Sequence, residues 1–286
     1  MPRDRTVLVT GPRGLLGSAV CEGFVAAGYT VLPFEGDIRD VDSVHAFFLN
    51  TLPSWVIHTA AKTNVAACEK NPDETYAINV DGTAHVIEAA RLCGAAVVHI
   101  STASVFKGDK GDYTERDVPE PTNVYNQTKA DAEKVVLGYE KGKVVRLNIV
   151  GIHPKGSRGR NFLEWLVDSF QNNKNLTLFT DSRINPLSNW TIAEMLQKII
   201  EQAPDEKIFH IGSRNVVSKA EIGKLVHTHF PNYSGVVREG SIVSIEDGVF
   251  RPKEMWLNAE STSKILAVSM PNIEKEIEKI FSRIID

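Results

Sequence analysis

Cysteine, long apolar runs and surplus charge are all scarce in this chain, and each shortage excludes a class of protein. Its 286 residues hold three cysteines, Cys21, Cys68 and Cys93, scattered and odd in number. They exclude a disulfide framework and point to a reducing, cytoplasmic compartment. No apolar stretch approaches the roughly 20 residues of a spanning helix, and Met1-Pro2-Arg3-Asp4-Arg5 leads into a strand without a signal-peptide core. A membrane partner is therefore not expected. The formal net charge is -4, which leaves no basic footprint for nucleic acid. His227 and His229 stand two apart with no further ligands nearby, which argues against a metal site. There is no internal repeat and no low-complexity tract.

What is present is the composition of a globular protein, 42% hydrophobic and 24% charged. Residues 6–10 form a short apolar run, as in a strand buried on both faces. Residues 15–27 carry Leu16, Val20 and Phe24 at helical spacing, and Gly28 supplies a stop. Residues 29–34 predict a second strand with an irregular end at Pro33, which cannot donate to a ladder. A helix over 40–50, a strand over 55–59, a long helix over 72–92 closed by Gly94, a strand over 97–100, a helix over 122–139 and a strand over 143–149 follow. This alternation implies parallel βαβ units: an α/β chain with a Rossmann-type doubly wound parallel sheet. We expect a dinucleotide-binding domain over 1–150. A smaller C-terminal α/β substrate lobe is expected over 151–286, with segments returning to the main sheet. In that lobe Ser218 and Glu221 form a capping box ahead of Ile222, Leu225 and Val226. Residues 273–284 read as an amphipathic closing helix.

Directly after the first strand stands Gly11-Pro12-Arg13-Gly14-Leu15-Leu16-Gly17. Strand, glycine turn and helix in that order form a dinucleotide cradle. Gly11 permits the tight turn, Gly14 lets backbone approach the pyrophosphate, and Gly17 lets the helix pack close to the sheet. The helix start at Leu15 and Leu16 turns free N–H groups toward the phosphates. The spacing is GxxGxxG, not GxGxxG, and a merely structural turn is the competing reading. The cofactor is NAD(H) or NADP(H). Glu35, at the end of strand two, would bond ribose hydroxyls and favour NAD. Arg13 would pair a 2′-phosphate and favour NADP. The balance leans to NAD. Asp37 and Ile38 would flank the adenine. Ala60, Ala61 and Lys62 follow strand three at its C-terminal end, where such folds bind ligands.

Far downstream stands Tyr125-Asn126-Gln127-Thr128-Lys129, preceded by Ser101-Thr102-Ala103-Ser104. Tyr125 and Lys129 are four apart and share a helix face. A free tyrosine, with a pKa of ~10, is a poor acid near neutrality. A neighbouring ammonium and the helix N-terminus are expected to lower that value. In the reaction these residues suggest, hydride passes from a nicotinamide to a carbonyl carbon. Tyr125 protonates the developing alkoxide, Thr102 steadies its charge, and Lys129 also holds the nicotinamide ribose. A surface Tyr–Lys pair often arises by chance; the glycine loop, the Ser-Thr run and the fold order together favour catalysis.

With these motifs in order, the chain resembles the extended short-chain dehydrogenase/reductase superfamily over nearly its whole length. More closely, it looks like the dTDP-4-dehydrorhamnose reductase family. Gly11 to Gly17, Gly36-Asp37-Ile38, Ala60-Ala61-Lys62-Thr63, Ile78-Asn79, Ser101-Thr102, Val105-Phe106, Tyr125 with Lys129, Asn161-Phe162 and Arg251-Pro252 carry the resemblance. It implies a catalytic triad of Thr102, Tyr125 and Lys129, with Asn79 holding a structural water or a helix bond nearby. It implies NAD(P)H-dependent reduction of a 4-keto group on a nucleotide-linked deoxysugar, and a homodimer. Thr102, Ala103, Asn161 and Arg251 would meet the substrate.

Three departures bear on the substrate pocket. Ala103-Ser104 replaces an acid and a tyrosine, Leu147-Asn148-Ile149 replaces Thr-Ser-Trp, and Ala66 replaces an aspartate. Arg158, Arg160 and Arg251 would clamp a diphosphate or stay solvated. Asn161 would bond the sugar nucleotide or cap the next helix. His153 is a second acid–base group or a loop histidine. Two other functions compete. One is a cofactor-binding regulatory subunit resembling the methionine adenosyltransferase β-subunit, since fold does not settle function. The other is a sugar-nucleotide epimerase, which needs a second base. Dehydratase chemistry is weaker, because Ala103-Ser104 lacks the acids it requires.

Overall fold

Strand residues 7–9, 56–57 and 97–98 are all fully buried valines, leucines and isoleucines. Such strands need a cover on both faces, and the chain provides it. The computed structural model describes residues 5–154, 156, 161–244 and 248–285; Arg158 and Arg160 lie outside these. The chain opens with β1 (Thr6–Thr10), α1 (Leu15–Ala26), β2 (Thr30–Phe34), α2 (Val41–Thr51) and β3 (Trp55–His58). It continues through α3 (Val65–Lys70), α4 (Pro72–Tyr76), a π-helical turn at Ala77–Asp81, α5 (Gly82–Cys93) and β4 (Ala96–Ile100). A 3-10 turn at Ala103–Val105, α6 (Val124–Leu137), β5 (Gly142–Leu147) and β6 (Ile149–Val150) come next. Then follow α7 (Phe162–Gln171), β7 (Leu176–Phe179), β8 (Arg183–Ile184), β9 (Leu187–Ser188), α8 (Asn189–Gln202) and β10 (Ile208–Ile211). The last elements are β11 (Val217–Ser218), α9 (Lys219–His227), β12 (Val237–Gly240), β13 (Glu254–Met255), α10 (Glu260–Ile265) and α11 (Ile273–Ile285).

Six parallel strands form the central sheet in the order β2-β1-β3-β4-β5-β10. The chain leaves β1 to one side for β2 and returns to the other for β3. The switch point therefore lies between the C-terminal ends of β1 and β3, where open α/β sheets bind ligands. Side chains alternate between two cores. Val7, Val9, Ile57, Val98 and Val145 face α1 and α8, while Leu8, Val56, Val97 and Val144 face α2, α5 and α6. β2 is an edge strand, and this is why Pro33 is tolerated within it: no neighbour asks for its missing donor. The expected long helix over 72–92 is α4 and α5 joined through the π turn, and it ends on Gly94 in the left-handed region at φ 73°. A third core gathers α7, α9, α11 and β7, with the Ser218–Glu221 capping box opening α9. Among the described residues no helix is long and apolar enough to cross a membrane.

One buried ion pair ties α6 to the sheet. Glu133 and Arg146 are each 2% exposed, and Arg146 Nε and Nη2 donate to the two carboxylate oxygens at 3.0 and 2.7 Å. Ser101 Oγ donates to Glu133 Oε1 at 2.5 Å, and Phe106 lies under the guanidinium at 5.0 Å. Arg146 Nη1 stands 3.4 Å from His210 Nε2, whose other nitrogen donates to the Tyr113 carbonyl at 2.9 Å. Burial and Arg146 hold His210 down at about 3, so it is neutral and accepts. Arg146→Met leaves a buried carboxylate without its counter-charge and should cost about 3–5 kcal/mol of unfolding free energy. Adding Glu133→Leu should return part of that loss. Urea denaturation of the two variants reads this, and full additivity would show that the groups are not coupled.

Candidate active site

The glycine turn is built by close backbone approach. Gly11 has φ 64°, and a Cβ there would lie 3.0 Å from both N and Cα of Ala60. A Cβ on Gly17 would lie 2.2 Å from the Gly11 carbonyl oxygen and 2.9 Å from Thr59 Oγ1. The Gly14 N–H closes the turn on the Gly11 carbonyl at 3.0 Å. Gly14 then caps α1 with no side-chain acceptor, which leaves the first helical N–H groups for an anion. A Cβ on Gly14 would touch only the Gly11 carbonyl, at 3.3 Å, so its open side faces the cleft. These features fit a dinucleotide pyrophosphate.

The cleft has a volume of ≈ 560 Å³ and is lined by Gly11, Arg13, Gly14, Glu35, Asp37, Ile38, Ala60, Ala61 and Lys62. Six further lining residues, Pro12, Phe34, Gly36, Arg39, Glu74 and Ile78, were not among the expected cofactor residues. Arg39 grips Asp37 through Nε and Nη2, and this holds the Asp37 carboxyl below its ordinary range. Arg13 lies 3.7 Å from Glu35, so the two residues that argued for opposite cofactors meet each other. Lys62 Nζ donates to Glu74 at 2.5 Å. The Leu16 side chain is buried in the α1–α8 core, which leaves its backbone for the cleft. Leu15 points at Gly151, whose Cβ would lie 3.2 Å from Leu15 Cδ1, and its carbonyl accepts from Asn189 Nδ2 at 3.1 Å.

Asn79, on the π turn, clamps the loop after β3. Its Oδ1 accepts from the Lys62 N–H at 2.8 Å, and its Nδ2 donates to the Lys62 carbonyl and to Thr128 Oγ1, both at 3.0 Å. The helix bond expected of Asn79 is thus made to α6.

Asn123 caps α6 by accepting from the Asn126 N–H at 2.9 Å. Tyr125, Lys129 and Glu133 then fall at successive turns of one face. The Tyr125 side chain is half-buried. Desolvation pushes its phenol up to about 12, opposed by the neighbouring Thr102 hydroxyl. This corrects the expectation of a lowered value. The physical reason is where the ammonium goes: Lys129 Nζ donates to the Ile100 carbonyl at 2.7 Å and to His99 Nε2 at 3.0 Å. Burial brings Lys129 down to about 8, and Glu133 opposes that fall. Thr102 Oγ1 accepts from the Ser104 N–H at 3.1 Å, which caps the 3-10 turn.

The expected substrate residues divide. Ala103 is fully buried beside Val105, Phe106 and Tyr113, which corrects its assignment to the substrate. Asn161 caps α7: its Oδ1 accepts from the Glu164 N–H at 3.0 Å and its Nδ2 donates to the Gly151 carbonyl at 2.9 Å. The cap, one of its two readings, is formed. His153, in the loop before α7, bonds Glu164 at 2.9 Å. Arg251 lines a separate cavity of ≈ 460 Å³ with Lys107, Asp109, Phe250 and Lys253. Asn148, in the tripeptide that departs from the reductase pattern, donates to the Met255 carbonyl at 2.6 Å.

Known proteins share sequence and fold with this chain. The chain is similar to the spore coat polysaccharide biosynthesis protein SpsK of Bacillus subtilis, 31% identical over 226 residues that cover 77% of each. It is also similar to methionine adenosyltransferase 2 subunit beta of Rattus norvegicus, 34% identical over 152 residues, 50% of this chain and 46% of that one. The crystal structure of dTDP-4-dehydrorhamnose reductase from Bacillus anthracis in complex with NADP superposes with a TM-score of 0.89 at 27% identity, covering 97% of this chain and 98% of that one. A family model, the RmlD substrate binding domain, matches residues 5–285, and the chain belongs to that family.

Proposed function

We propose that this chain is an NAD(P)H-dependent reductase of a 4-keto group on a nucleotide-linked deoxysugar, with 1–150 holding the cofactor and 151–286 the substrate. One observation carries the reading: Thr102 beside the Tyr125 phenol, with a buried Lys129 ammonium one turn on that is held to β4, next to a glycine cradle at the switch point. The nicotinamide cofactor, when bound, supplies the hydride. Tyr125 holds the proton: a phenol near 12 is fully loaded at neutral pH, as an acid in the reductive direction must be. Thr102 orients the carbonyl oxygen and shares the charge that develops there. Lys129 offers its remaining N–H to the cofactor ribose and its charge to the phenolate left behind. Free thiols at Cys21, Cys68 and Cys93 fit a cytoplasmic setting.

At the adenosine end Arg13 neutralises Glu35, and Arg39 adds a second guanidinium. This reverses the lean to NAD and favours a 2′-phosphate. Arg13→Ala with Arg39→Ala should weaken NADPH binding about tenfold or more and leave NADH within about threefold. Fluorescence titration reads both, and tighter NADH binding by the unaltered chain would refute the preference.

The central test is loss of nicotinamide absorbance with a panel of 4-keto-6-deoxy sugar nucleotides. Turnover should fall by about 10²-fold or more in Tyr125→Phe. Tight cofactor binding with no turnover on any substrate would favour a regulatory subunit instead. The pH profile has a definite sign. Lys129 is charged below about 8 and neutral above it, while Tyr125 stays protonated to about 12. Turnover should therefore decline above about 8, with no acid limb from His58, which is held down at about 3.

A further inference from the structure

Two of the three N–H bonds of the Lys129 ammonium are committed to β4, to the Ile100 carbonyl at 2.7 Å and to His99 Nε2 at 3.0 Å. Adjacent residues of one strand thus grip the lysine that α6 delivers. An ammonium only donates, so His99 Nε2 must present its lone pair and the ring proton must sit on Nδ1. That Nδ1 is buried with no hydrogen-bond partner among the described residues. A buried, unpartnered polar group is a burden that an apolar residue of similar size would not carry.

The surrounding layer is not loosely made. His58, whose ring lies 5.0 Å from that of His99, is bonded at both nitrogens, to Thr10 Oγ1 at 2.7 Å and to Thr83 Oγ1 at 3.0 Å. Thr10 Oγ1 also accepts from the Ala60 N–H, and Thr83 Oγ1 donates to the Asn79 carbonyl. These bonds fix one tautomer of His58, with the proton on Nε2. The same layer that satisfies His58 completely leaves His99 half satisfied, and the half that is satisfied is the one aimed at Lys129.

We propose that His99 is a positioning residue: its Nε2 holds the Lys129 side chain against β4, secures its charged form, and leaves the third N–H for the cofactor ribose and the Tyr125 oxygen. This rests on the reading of Tyr125 and Lys129 as the reacting pair. The titratable groups around Lys129 are His99 on β4, His58 behind it on β3 and Glu133 on α6; Tyr125 lies one turn earlier on α6, with Cys68 of α3 near its phenol. Burial, Lys129 and His58 hold His99 well below its ordinary value, so it stays a neutral acceptor. Glu133 is the other group that favours the ammonium, and its carboxylate is already bound by Arg146 and Ser101. The two acceptors on β4, the Ile100 carbonyl and His99 Nε2, are therefore the direct supports of the charge, and His99 is the one a side-chain substitution can remove.

The test reads Lys129 itself. The full chain, labelled with [ε-13C]lysine, is titrated by NMR without substrate, and the Lys129 signal is assigned with Lys129→Met. His99→Leu removes the acceptor. His99→Gln keeps an acceptor oxygen at a similar reach. The Lys129 titration should move down by about one pH unit in His99→Leu and return most of the way in His99→Gln. In turnover, the alkaline decline should shift with it. Identical titrations in all three proteins would overturn the proposal. Should His99→Leu not fold, His99→Asn, whose amide is too short to reach, replaces it with the same expected shift. If the unaltered chain reduces no sugar nucleotide, the functional reading fails, while the lysine titration still decides the role of His99.

Discussion

The buried pairing of Glu133 with Arg146 is the constraint on which the site depends. A carboxylate and a guanidinium with 2% exposure persist only if each satisfies the other, and doing so fixes α6 on β5 in register and rotation. Because Glu133, Lys129 and Tyr125 recur every four residues, anchoring the first sets the other two. Ser101 reaches the same carboxylate from the end of β4, so the strand that carries Thr102 is tied to the helix that carries Tyr125. Tyr125, Thr102 and Lys129 are thus held by one buried charge network.

A second constraint is steric. At the switch point three backbone segments meet with no room for side chains: the turn at Gly11, the first turn of α1 at Gly17, and the loop at Ala60. Threonines and amides then lock these segments. Thr59 Oγ1 donates to the Thr10 carbonyl at 2.6 Å, and Asn79 spans Lys62 and Thr128. Asn79 thus joins the loop after β3, which lines the cleft, to α6, which carries Tyr125 and Lys129.

Electrostatics divides the site into a dry and a wet end. At the dry end desolvation raises Tyr125, lowers Lys129 and keeps His58 and His99 neutral. At the wet end Arg13, Glu35, Asp37, Arg39, Lys62 and Glu74 pair with one another around the cleft mouth. Exposed pairs of this kind contribute little to stability, and they can exchange partners when a charged ligand arrives.

Much of this was legible in the chain. Apolar runs alternating with helical spacing determined the parallel sheet, because strands buried on both faces leave no other pattern. Gly11, Gly14 and Gly17 after a strand marked the cradle, and the spacing of Tyr125 and Lys129 put them on one helix face. Sequence alone does not reveal where a long side chain turns. Lys129 bonds β4, Asn161 spends its amide on a helix cap, and Ala103 lies in a core; each outcome depends on residues far away in the chain. The same holds for Arg39, which a sequence reader passes as a surface arginine, and for Glu133 and Arg146, which become partners only when α6 lies on β5. Local periodicity determined which elements form and which faces they bury. The tertiary structure decided the partners of the polar groups, because a hydrogen bond depends on distance and direction across the fold.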